Sequence, residues 1–101
     1  MQGKQQEVAQ FFEKHDLEGD PAYRLIDLVS EIGEIASETA KTTSYGLEPE
    51  QLNISRDELG DAAFSLLALA NSLEVELESC LEEAIEKYEG RIQSSGDPGS
   101  K

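Results

Sequence analysis

Two short stretches of this 101-residue chain carry residues able to do chemistry: EIGE, with Glu31 and Glu34, and ELGD, with Glu58 and Asp61. Each reads carboxylate, large aliphatic residue, glycine, carboxylate, inside a segment that otherwise favours helix. Residues three apart on a helix are neighbours, so each stretch presents two carboxylates side by side. Carboxylate oxygens are the preferred donors of a hard divalent cation such as Mg²⁺ or Mn²⁺, and Mg²⁺ commonly adds waters and substrate phosphates to them. The arrangement has costs. Glycine in a helix interior costs about 1 kcal/mol relative to alanine, and a carboxylate beside a buried stripe is unfavourable unless something pairs with it. The chain accepts both costs twice.

The elements that must position these groups are helices throughout. A first helix is predicted over roughly 4–16, with Val8, Phe11 and Phe12 as apolar contacts. Asp20-Pro21 is a start signal, Asp as N-cap and Pro in the first helical position, for a second helix over 21–42. A polar connection containing Gly46 and Pro49 leads to a third helix from near Ser55 to about 73. Asp57 and Glu58 lie in its first turn, where the helix dipole favours acids. A short turn gives a fourth helix over about 76–92. The predicted organisation is an all-α four-helix domain over 1–92 that packs into an oligomeric helical bundle, with a disordered C-terminal tail over 93–101.

On the second helix Leu25, Leu28/Val29, Ile32, Ile35/Ala36 and Ala40 form an apolar stripe expected to face the core. Asp27, Glu31, Glu34 and Glu38 form a second stripe rotated by about 100° from it. On the third helix Leu59, Ala62/Ala63, Leu66, Leu69/Ala70 and Leu73 make the core stripe, and Glu58 and Asp61 stand at its shoulder. Five acidic pairs in the chain have the i,i+3 spacing, so spacing alone does not single these out. Context does: the third helix continues as AAFSLLALA, apolar almost all round, which predicts a central or interfacial position and an association of copies. Eight Lys and Arg face 22 Asp and Glu, and only Lys41, Arg56 and the Lys87/Arg91 pair are placed to offset the four acids. Periodicity by itself also accommodates solvated acids, with Gly33 and Gly60 serving helix packing.

The formal net charge of −14 argues against binding DNA or RNA through the phosphate backbone, which needs a basic surface. No stretch approaches the ~18 apolar residues of a membrane span. MQGKQQEVAQ at the start lacks the pattern of a signal peptide, and the single Cys80 reads as a reduced thiol. A cytoplasmic location is expected. One histidine excludes a Glu-x-x-His di-iron bundle, and no D-x-D-x-D-G calcium loop is present.

LIDLVSEIGEIASE, the TSYG connection, ELGDAAFSLLALANSL and AIEKYEGRI together resemble the MazG-like all-alpha nucleoside triphosphate pyrophosphohydrolases, over about residues 8–92. The resemblance implies a helical module, a homodimer or tetramer, that hydrolyses (d)NTPs to the monophosphate and pyrophosphate with Mg²⁺, Mn²⁺ being an alternative. It implies that Glu31, Glu34, Glu58 and Asp61 are metal ligands and that Lys87 and Arg91 contact the phosphates. Two departures stand out. Many relatives carry an Asn with those basic residues, where this chain has Ile85 and Tyr88. Many also have LGID before the last helix, where this chain has Leu73-Glu74-Val75-Glu76. On this reading Glu38, one turn beyond Glu34, could orient or deprotonate the attacking water. Phe12, His15 and Tyr23, with Phe11, are the rings available to the base. The alternative is a non-catalytic acidic helical module that binds a protein or a nucleotide.

Overall fold

The computed structural model describes residues 1–17 and 19–97. It contains four α-helices: α1 (Gln2–Lys14), α2 (Pro21–Thr42), α3 (Arg56–Ser72) and α4 (Leu77–Ser95), with a short 3-10 turn at Pro49–Gln51 before α3. The fold is all-α as expected. The tail is shorter than expected: α4 runs on to Ser95 and ends where Gly96 takes a left-handed conformation, φ 76°, the usual way a helix is stopped. The rest of the expected tail, 98–101, lies outside the described residues.

Local sequence accounts for the helix starts. Pro21 opens α2 with its fixed φ, after Asp20 in extended conformation, although the Asp20 side chain makes no capping hydrogen bond. At α3 the Ser55 side chain accepts from the Glu58 amide at 3.1 Å, satisfying one of the free amides of the first turn.

Three helix pairs hold the chain together: α2 on α3, α1 on α3, and the start of α4 on α1. The core is small: Val8, Leu67 and Ala68, with Phe12 and Leu77 packed against them. A polar clasp fixes where α4 begins. The buried Gln5 side chain donates to Val75 O at 2.6 Å and accepts from the Leu77 amide at 2.9 Å, while Asn71 donates to Gln5 O at 3.0 Å. Gln5 on α1 thereby caps the first turn of α4.

Beyond that clasp α4 extends away from α2 and α3. The radius of gyration is 16.6 Å, against about 13 Å for a compact chain of this length. Leu81, Ile85, Tyr88 and Ile92, spaced four, three and four apart, are 47%, 50%, 42% and 50% exposed.

The stripe expected to be the core face of α2 is largely uncovered: Leu25, Val29 and Ile32 are half or more exposed. The half-buried positions of α2 include Arg24, Leu28, Glu31, Ile35, Glu38 and Thr42, and those of α3 include Glu58, Ala62, Ser65, Leu69 and Ser72. Both sets alternate steps of three and four, the 3.5-residue repeat of two helices meeting along a seam. Glu31 and Glu38 of the acidic stripe therefore enter the α2–α3 seam beside Leu28 and Ile35, while Asp27 and Glu34 stay exposed. Leu25, Val29 and Ile32 of the apolar stripe are left for another surface.

Candidate active site

Because α2 and α3 run antiparallel across one connection, the seam brings EIGE opposite ELGD. A groove of about 340 Å³ lies there, lined by Asp27, Ser30, Glu31, Asp61, Phe64 and Ser65. Glu31 is half-buried. Partial removal from water, and then the negative fields of Glu34, Asp61, Asp27 and Glu58, push its carboxyl above the ordinary value. Both effects disfavour the charged form. Across the seam Glu58 Oε2 is buried and has no hydrogen-bond partner among the described residues.

Ion pairs join Met1 to Glu78, Lys4 to Glu7 and Arg24 to Asp27, and none among the described residues engages Glu31, Glu34, Glu58 or Asp61. Lys41 and Arg56, expected as counter-charges, pair with none of them. No three carboxylate, His or Cys side chains among the described residues close on a common point as a metal shell. The donor chemistry nevertheless fits a divalent cation: oxygen-only groups, one oxygen orphaned in the interior, and one carboxyl held back from ionising.

Gly33 and Gly60 gain a clearer reading. A Cβ at either position would meet nothing within 4 Å. Close helix packing within the chain is therefore not what requires glycine there.

The other expected residues fall in different places. Glu38 is half-buried in the seam one helical turn beyond Glu34. Lys87 and Arg91 lie on α4 beside the Tyr88 ring, at 4.8 and 5.6 Å from its centre, and do not line the groove. Phe12 belongs to a ring cluster: Phe64 stands edge-on to Phe11 at 5.7 Å and to Phe12 at 5.4 Å, and His15 lies 4.7 Å from Phe11. Tyr23 is exposed and outside that cluster. Phe64, which lines the groove and touches both rings of α1, was hidden inside an apolar run. Arg24 was also missed, although it continues the acidic stripe toward the start of α2.

The family comparison decides what this arrangement is. A family model described as the MazG nucleotide pyrophosphohydrolase domain matches residues 22–94, a span that takes in both carboxylate pairs and most of α4. The chain belongs to the MazG family. Among solved structures it is similar to YPJD from Bacillus subtilis, a provisionally assigned pyrophosphatase. The two share 30% identity with a TM-score of 0.72, over 87% of this chain and 91% of that one. A search of curated proteins finds no match. Membership supports a pyrophosphohydrolase, a hydrolase of a phosphoanhydride in a nucleotide. No helix among the described residues is long and apolar enough to cross a membrane.

Proposed function

We propose that this MazG domain is a Mg²⁺-dependent nucleoside triphosphate pyrophosphohydrolase that converts a (d)NTP and water to the (d)NMP and pyrophosphate. The observation that carries the reading is the buried, unpartnered Glu58 oxygen across the seam from a Glu31 whose ionisation is disfavoured. Such a pair makes sense when positive charge enters the groove.

Glu31, Glu34, Glu58 and Asp61 would hold the cation, with Mn²⁺ as the alternative to Mg²⁺. When bound it supplies Lewis acidity toward the phosphoryl oxygens and offsets the negative field of the groove. Water attacks one phosphorus of the α–β anhydride, the bond from that phosphorus to the bridging oxygen breaks, and the monophosphate and pyrophosphate separate. Glu38 is placed to orient that water and accept its proton. Lys87 and Arg91 are assigned to the phosphates. Since α4 carries them away from the groove of their own chain, this assignment has them act in the groove of a second copy. The uncovered stripes of α2 and α4 support a homodimer or tetramer, because exposed apolar surface of this extent marks an interface.

The test is pyrophosphate release from a panel of NTPs and dNTPs with Mg²⁺, with a Glu58→Ala variant alongside. Metal-dependent release that disappears in the variant is expected. A folded wild-type protein that releases nothing from any nucleotide with Mg²⁺ or Mn²⁺ overturns the reading in favour of a non-catalytic module.

A further inference from the structure

A second cavity, also of about 340 Å³, continues the acidic groove toward the start of α2, with Phe12, Gly19, Arg24, Ala68, Asn71 and Ser72 in its wall. The two spaces follow one another along the same two helices. Along α3 their lining residues follow at helical spacing, Asp61 and Phe64/Ser65 in the first, Ala68 and Asn71/Ser72 in the second. Along α2 they run from Glu31 and Asp27 in the first to Arg24 in the second. The Phe12–Phe64 ring contact at 5.4 Å bounds both.

Arg24 is the unusual group here. Its side chain is only 18% exposed. Its guanidinium carbon lies 4.3 Å from the centre of the Phe12 ring. Its one ionic contact, to Asp27, is a long 3.8 Å. The guanidinium makes no hydrogen bond within the described residues, so its donors remain available in the cavity. Gly19 sets its position: a Cβ there would lie 3.0–3.2 Å from three of its atoms. Opposite these donors are acceptors. Asn71 spends its amide nitrogen on Gln5 O, leaving Oδ1, and the Ser72 hydroxyl donates to Leu69 O, leaving lone pairs.

Resting on the function proposed above, we infer that this cavity is the nucleobase compartment, and that Arg24 selects bases presenting two adjacent hydrogen-bond acceptors. Arginine has only donors, fixed in a fork. Guanine offers O6 and N7 to such a fork, whereas adenine places an amino donor beside N7. Cytosine offers O2 beside N3. Uracil separates its two carbonyls by N3–H. Asn71 and Ser72, opposite the fork, accept from the guanine amino group, which lies across the ring from O6 and N7. Ala68 and the edge of the Phe12 ring, whose face Arg24 covers, supply the apolar part of the wall. With the base here, the acidic groove lies next along α2 and α3 for the triphosphate.

The experiment compares kcat/KM for GTP, CTP, ATP and UTP in wild type, Arg24→Gln and Gly19→Ala. Gly19→Ala keeps the charge and displaces only the tip of a flexible side chain, so its melting temperature should stay near wild type. Wild type should favour GTP and CTP over ATP and UTP by about tenfold, the lower range for a bidentate contact. Both variants should shrink that ratio, mainly through KM. A metal-free readout accompanies it: GMP and CMP, but not AMP, should shift the backbone amide signals of Gly19, Ala68 and Ser72. Equal rates for all four nucleotides, or variants that lower all four alike, overturn the assignment while leaving the hydrolase intact. Selective shifts with GMP and CMP in a protein that hydrolyses nothing uphold the compartment and defeat the catalytic reading.

Discussion

Glu31 on α2 and Glu58 on α3 repel each other across one helix seam, and no ion pair among the described residues offsets either. Folding brings them together against their own electrostatics.

The first prediction is a pH dependence. A carboxyl raised in the folded state binds its proton more tightly there than in the unfolded chain. The associated stability is fully present below the ordinary value of 4.5 and is lost as pH rises through the higher folded value. In EDTA, Glu31→Gln should therefore melt above wild type at pH 8, and the two should converge near pH 4. A variant less stable than wild type across that whole range would show that the Glu31 charge is not under strain.

Cation binding should reverse the penalty. At a Mg²⁺ concentration about 100 times its Kd, linkage gives about 2.7 kcal/mol of added stability. Thermal melts with and without Mg²⁺ should show this for wild type and lose most of it in Glu58→Ala. An equal gain in both would place the cation elsewhere.

The Gln5 clasp predicts a structural loss. Gln5→Ala leaves Val75 O and the Leu77 amide without their partners, at a cost of about 2 kcal/mol. Urea unfolding measures it, and a change below about 0.5 kcal/mol would mean that water replaces the clasp.

Glu74 occupies the position where many MazG relatives carry glycine, and it adopts a left-handed conformation at φ 57°. That region costs a non-glycine residue about 1–2 kcal/mol, partly offset by the greater freedom glycine has when unfolded. Glu74→Gly should raise stability by about 0.5–1 kcal/mol by denaturant titration, and any loss would contradict the strain.

The exposed α4 stripe predicts association. Wild type should run as an oligomer in size-exclusion chromatography with light scattering at micromolar concentration, and Ile92→Asp should shift it toward smaller species. A wild-type monomer would leave the stripe unexplained.

Some of this was legible in the sequence for local reasons. The Pro21 start, the Ser55 cap and the 3–4 spacing fix helices through backbone chemistry that needs no distant partner, and the α2 boundaries at 21 and 42 agree with the structure. The carboxylate pairs were legible because glycine and acid recur in one pattern. Phe64 and Arg24 were not. An aromatic inside AAFSLLALA reads as core, and an isolated arginine near a helix start reads as surface, until packing sets one beside the groove and the other over Phe12.

The sequence by itself determined the helices, the two carboxylate pairs and the family they belong to, because these depend on residue type and short-range spacing. Only the tertiary structure decided that the seam takes Leu28 and Ile35 from the apolar stripe of α2 and Glu31 and Glu38 from the acidic one, since stripes at the same period differ only in which neighbour they meet. It also decided that α4 departs from the α2–α3 pair, because that direction is set by the Gln5 clasp to a residue about seventy positions away.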